Sequence, residues 1–200
     1  MTKIKICGLM RVQDAQYANE VQPDFAGMIL SAGFRRSVTA ETAQEIRNSL
    51  LPHIAAVGVF VDDAIGVIAE FLRRGIIQAV QLHGHEDAQY IAALRQVTDA
   101  VILQAFRIRT AADIQTAQQS AADWILLDSG TGTGKTFDWG LLSGLTRPFF
   151  LAGGLHPGNV AEAIEAMHPA GVDVSSGVET DGQKDPQKIS AFAAAVRRQG

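Results

Sequence analysis

Short apolar runs and longer amphipathic runs alternate along the whole chain. The short runs fall at 4–7, 24–30, 54–61, 79–83, 101–106, 124–128, 149–152 and 171–175, and their length and β-branched content predict strands. Helical patterning follows each of them, over about 13–20, from Thr39, over 63–74, 86–97, from near Thr110, after Trp139, from Pro157 and over 186–198. Thr39 is placed to cap its helix, with Glu41 in the first turn, and Pro157 suits a first helical turn. Eight such pairs in 200 residues give a repeat of about 25 residues, the size of one βα unit. Strands alternating with helices predict a parallel sheet. Runs such as WILLD and FFLA are apolar on both faces, which fits strands buried between a filled interior and outer helices. The pattern therefore predicts an α/β chain folded as a (β/α)8 TIM barrel, with an open doubly wound sheet as the alternative. No linker or composition shift divides the sequence, so residues 1–200 read as a single catalytic domain.

Charge narrows the partners. The net charge is −4 and the charges are scattered, so nucleic acid is not an expected partner, while a compact anion held by a few local donors is compatible. The one cysteine, Cys7, excludes an internal disulfide. The start MTKIKICGLM has no leader pattern, and no run approaches the ~20 apolar residues of a membrane span. A cytoplasmic enzyme without membrane contact is the expectation.

A barrel of this kind carries its chemistry at the C-terminal strand ends and the loops beyond them. Those positions hold Cys7, Arg35 and Arg36, Asp62, Gln81 and His83, Asp128, Gly153-Gly154, and Ser175-Ser176-Gly177. His83 and His85 lack obvious carboxylate partners, so no metal site is expected. The glycine-bearing loops after strands seven and eight are where this fold commonly cradles phosphate through backbone N–H groups. Taken singly, each residue has a plainer explanation: a tight turn, a capping aspartate, an inert buried thiol. Their joint placement at one mouth is what suggests a site.

The motifs KICG at 5–8, GVFV at 58–61, VQLHG at 80–84, LLD at 126–128, GKTFDW at 134–139, AGGL followed by NV, and DVSSGVE at 173–179 occur in order at barrel spacing. In this the chain resembles the phosphoribosylanthranilate isomerase family of tryptophan biosynthesis. The resemblance implies an Amadori rearrangement of N-(5-phosphoribosyl)anthranilate to 1-(o-carboxyphenylamino)-1-deoxyribulose 5-phosphate, without cofactor or metal. It implies Cys7 as general base and Asp128 as general acid. It also implies that Arg36 holds the anthranilate carboxylate, and that Gly153, Gly154 and the turn of Ser175, Ser176 and Gly177 hold the phosphate. Asp173 is implied as a sugar contact, and Gln81 and His83 as the pocket floor. Such an acid must keep its proton near neutral pH, although free aspartate loses it near ~3.9. Such a base must form a thiolate, which asks for loop N–H groups or a cation, because free cysteine titrates near ~8.5.

The run Gly33-Phe34-Arg35-Arg36-Ser37 departs from the family's usual Ser-x-Arg-aromatic, which leaves Arg35 as the alternative to Arg36. Two other readings compete. SGTGTGKT at 129–136 is similar to a P-loop, but Ser129 stands where glycine is wanted and Phe137-Asp138-Trp139-Gly140 follows in place of a long helix. A lid over the substrate is the preferred role for it. A phosphosugar isomerase of histidine biosynthesis would pair two aspartates, and Cys7 occupies one of those places. Indoleglycerol phosphate synthase uses lysines at strand ends, which this chain does not offer there. Either a monomer or a homodimer is compatible with the sequence.

Overall fold

The structure, a computed structural model, describes residues 1–128 and 145–199. Its frame is a closed barrel of eight parallel strands in sequential order. These are β1 (Lys3–Cys7), β2 (Phe25–Ile29), β3 (Ala55–Phe60), β4 (Ala79–Leu82), β5 (Val101–Arg107), β6 (Trp124–Asp128), β7 (Phe149–Ala152) and β8 (Gly171–Val174). Closure is made by β1 against β8, from Lys3 opposite Gly171 to Ile6 opposite Val174. The helices described are α1 (Val12–Val21), α2 (Ala40–Ser49), α3 (Ile65–Arg73), α4 (Ala88–Arg95), α5 (Ala111–Gln118), α6 (Val160–Met167) and α7 (Pro186–Arg197). The short helix expected after Trp139 and the P-loop-like run at 129–136 lie outside the described residues.

Local chemistry explains the element boundaries. Thr39 caps α2 by accepting from the Thr42 N–H, and Asp185 caps α7, with Pro186 at its first position. The helix expected from Pro157 begins later, at Val160. Asn159 accounts for the delay. Its amide oxygen accepts from the His156 N–H at 2.8 Å and its amide nitrogen donates to the Gly154 carbonyl at 3.1 Å, which holds the preceding turn non-helical.

Alternation along each strand divides its side chains between two cores. Ile4, Ile6, Ala26, Met28, Val80, Leu82, Ile125, Leu127, Val172 and Val174 face outward and join the helices in one large apolar cluster. The other parity fills the barrel. Toward the N-terminal ends lie Val57, Ala79, Leu103, Leu126 and Phe150, closed by Phe25 and Trp124. Phe150 meets Phe25 edge-on at 5.8 Å and Trp124 at 5.5 Å between ring centroids. Toward the C-terminal ends the same parity delivers Cys7, Gln81, His83, Asp128 and Asp173. No helix among the described residues is long and apolar enough to cross a membrane.

Candidate active site

The C-terminal mouth opens into a cavity of about 320 Å³. Eleven of the residues singled out from the sequence line it, Cys7, Arg36, Gln81, His83, Asp128, Gly153, Gly154, Asp173, Ser175, Ser176 and Gly177, while Arg35 and Asp62 do not. Strands far apart in the chain thus bring their ends to one place.

His83 connects two of these residues. Its Nδ1 lies 3.0 Å from Gln81 Nε2, and its Nε2 lies 3.9 Å from Asp128 Oδ2. With the amide nitrogen donating, Nδ1 accepts and the neutral ring carries its proton on Nε2, toward Asp128. Burial draws the imidazole below its ordinary value, with Asp128 acting in the opposite direction, so the neutral form prevails at neutral pH. The expectation that His83 and His85 lack carboxylate partners is therefore corrected, since His85 also pairs with Asp62, at 2.9 Å. The loop after β3 curls back over the loop after β4, a contact that strand-end counting does not reveal. Among the described residues no group of three or more histidine, cysteine, aspartate or glutamate side chains is arranged to hold a metal ion.

Arg36 is clamped from beneath. Its Nε and Nη2 donate to the two carboxylate oxygens of Glu179, at 2.7 and 2.9 Å. Lys184 reaches the same carboxylate at 2.9 Å and the Ser175 carbonyl at 3.0 Å. Burial would raise Glu179, but Arg36 and Lys184 hold it down to about 2. Arg35 also pairs with Glu179 yet stays largely in solvent, 59% exposed against 19% for Arg36. Only Arg36 of the two lines the cavity.

The loops after β7 and β8 form the opposite wall. Gly153 and Gly154 have φ of +86° and +66°, a backbone path that side chains with a Cβ rarely follow. Gly177 is pressed against the other loop, where a Cβ would stand 1.8 Å from the Leu155 carbonyl oxygen. Glycine there allows the two loops to meet backbone to backbone.

Four charged residues of this region were not anticipated. Lys5 is fully buried on β1 and pairs with Asp173 at 2.8 Å. The barrel thus does hold a lysine, although inside rather than at a strand end. Arg107 lines the cavity from β5, and Glu179 with Lys184 supports Arg36. For Lys5 a signal existed: KIKIC gives it the same parity as Cys7. The thiol also departs from expectation. Burial pushes Cys7 above its ordinary value, with Lys5 acting against that shift.

The family described as N-(5'-phosphoribosyl)anthranilate (PRA) isomerase matches the chain over residues 4–195. An N-(5'-phosphoribosyl)anthranilate isomerase from Endomicrobium trichonymphae is 43% identical over 202 residues, 98% of this chain and 99% of that protein. The crystal structure of the phosphoribosyl anthranilate isomerase from Thermotoga maritima superposes with a TM-score of 0.91 at 33% identity, covering 99% of this chain and 100% of that one. A further phosphoribosyl anthranilate isomerase, solved with reduced 1-(o-carboxyphenylamino)-1-deoxyribulose 5-phosphate, superposes at 0.88 with 32% identity over 99% of this chain and 100% of that one. By fold, by the order of its motifs and by similarity along nearly its whole length, this chain belongs to the phosphoribosylanthranilate isomerase family of tryptophan biosynthesis.

Proposed function

We propose that Cys7 is the general base and Asp128 the general acid of this isomerisation. One observation carries the reading: the two side chains, from β1 and β6, open into the same cavity between Arg36 and the glycine loops. In the proposed cycle, protonated Asp128 gives its proton to the furanose oxygen as the C1–O bond breaks. The anthranilate nitrogen supplies the electron pair that forms C1=N. The iminium acidifies C2, and the Cys7 thiolate takes the C2 proton to leave an enaminol. A proton is then gained at C1 as the C2 hydroxyl loses its own, giving the aminoketose.

The remaining residues bind. Arg36 takes the anthranilate carboxylate on the Nη1 side that Glu179 leaves over, a second fork of the same guanidinium. The backbone of Gly153, Gly154, Ser175, Ser176 and Gly177 holds the phosphate. Asp173 contacts the sugar while anchored by Lys5, and Gln81 with His83 forms the floor beside Asp128. The ligand of the related enzyme, the reduced form of a phosphorylated aminoketose, supports a small phosphoribosyl substrate here. The chain acts as one catalytic domain, with neither nucleic acid nor membrane as partner. A base that must stay a free thiol suits a reducing cytoplasm. Loss of N-(5'-phosphoribosyl)anthranilate fluorescence on adding the purified protein tests this function. No loss at any protein concentration would overturn it.

A further inference from the structure

Lys5 is sealed inside the barrel at 0% exposure, two residues before Cys7 and on the same inward face. Its Nζ donates to Asp173 Oδ1 at 2.8 Å. It also lies beside the Cys7 sulfur, and Gly27 on β2 makes room for both. A Cβ on Gly27 would stand 2.8 Å from Sγ and 3.1 Å from Nζ. Burying an ammonium–carboxylate pair is costly, and apolar residues at such places are often as stable or more so. The barrel just below is filled in that apolar way. A cation held at this depth, against the chain's only thiol, therefore points to chemistry rather than packing.

We propose that Lys5 is a positioning residue for the base: its ammonium, anchored by Asp173, is the counter-charge against which the Cys7 thiolate forms. The inference rests on the reading of Cys7 as base. The other charged or titratable groups bearing on the thiol are Lys184 from the hairpin after β8, Arg36 after β2, His83 after β4, Arg107 on β5 and Asp128 on β6. Burial pulls Lys5 down, but Asp173 and Cys7 more than offset it, so the ammonium persists at neutral pH.

The test is the pH titration of the Cys7 thiolate by its ultraviolet absorbance. Subtracting the matching Cys7→Ala protein isolates this single thiol. Lys5→Met should raise the midpoint by about one pH unit or more, a tenfold loss of thiolate at neutral pH. Lys5→Arg should stay near wild type. Lys5→Met/Asp173→Asn strands no carboxylate, so it serves if the single variant does not fold. It should shift the same way, because Lys5 bears more strongly on the thiol than Asp173 does. An unmoved midpoint in the folded variants overturns the proposal. In Lys5→Met kcat at neutral pH should fall about as far as the thiolate fraction, with KM kept and activity recovering at alkaline pH. A shifted midpoint with unchanged kcat would leave the Lys5–Cys7 pairing standing and remove Cys7 as base.

Discussion

The two halves of the barrel interior are built from the same strands and the same side-chain parity, yet they differ in kind. The N-terminal half is an apolar plug of Phe25, Val57, Leu103, Trp124, Leu126 and Phe150. The C-terminal half holds Lys5, Cys7, Gln81, His83, Asp128 and Asp173, where nearly every side chain is polar and paired. Moving two residues along β4, from Ala79 to Gln81, or along β6, from Leu126 to Asp128, carries an inward position from one environment to the other. The plug gives the barrel a rigid floor through dispersion and burial. The ring above it accepts costly buried charge because that floor holds each group in place.

If this division is real, substitutions in the two halves should fail differently. Asp128→Asn should lower kcat by about 10²–10⁴-fold while the thermal midpoint stays close to wild type, since the amide keeps the shape but cannot deliver a proton. Retained turnover would break the acid assignment. Phe150→Ala should do the opposite. Emptying a fully buried ring site should cost about 3–5 kcal/mol of stability, read from denaturant unfolding, with kcat of the folded fraction preserved. Arg36→Ala removes a charged hydrogen bond to substrate worth roughly 1.5–3 kcal/mol, so KM should rise about 10- to 100-fold with kcat less affected. Should Arg35→Ala produce that rise instead, the carboxylate is held from outside the cavity. The smallest effect concerns acid stability. Glu179 falls from an ordinary 4.5 to about 2 in the folded chain, so its stabilisation is complete above pH 4.5 and is lost as pH falls toward 2. Glu179→Gln should flatten that part of the acid unfolding curve while leaving the neutral region's slope unchanged.

The apolar half was the easier one to read from sequence. Strand length, β-branched runs and the repeat located each strand to within a residue or two, because burial on both faces leaves an uninterrupted apolar signature. Most polar residues of the cavity followed once their strand ends were placed at one mouth, Arg107 excepted. What sequence could not supply was pairing. Lys5 meets Asp173 from the far end of the chain, and only closure of β1 on β8 brings them together. Glu179 lay inside a quoted motif, but its hold on Arg36 depends on how the loop after β8 folds over the loop after β2. The start of α6 was missed because a local side-chain turn at Asn159 outweighed the helical preference for a proline in the first turn.

The proposed chemistry of the polar half runs through the Cys7 thiol, and turnover of Cys7→Ala beside wild type decides whether it does. Followed by the fluorescence of N-(5'-phosphoribosyl)anthranilate, the variant should bind substrate and unfold at a near-native midpoint, yet turn over about 10²–10⁴-fold more slowly. A folded Cys7→Ala protein with wild-type kcat would contradict it.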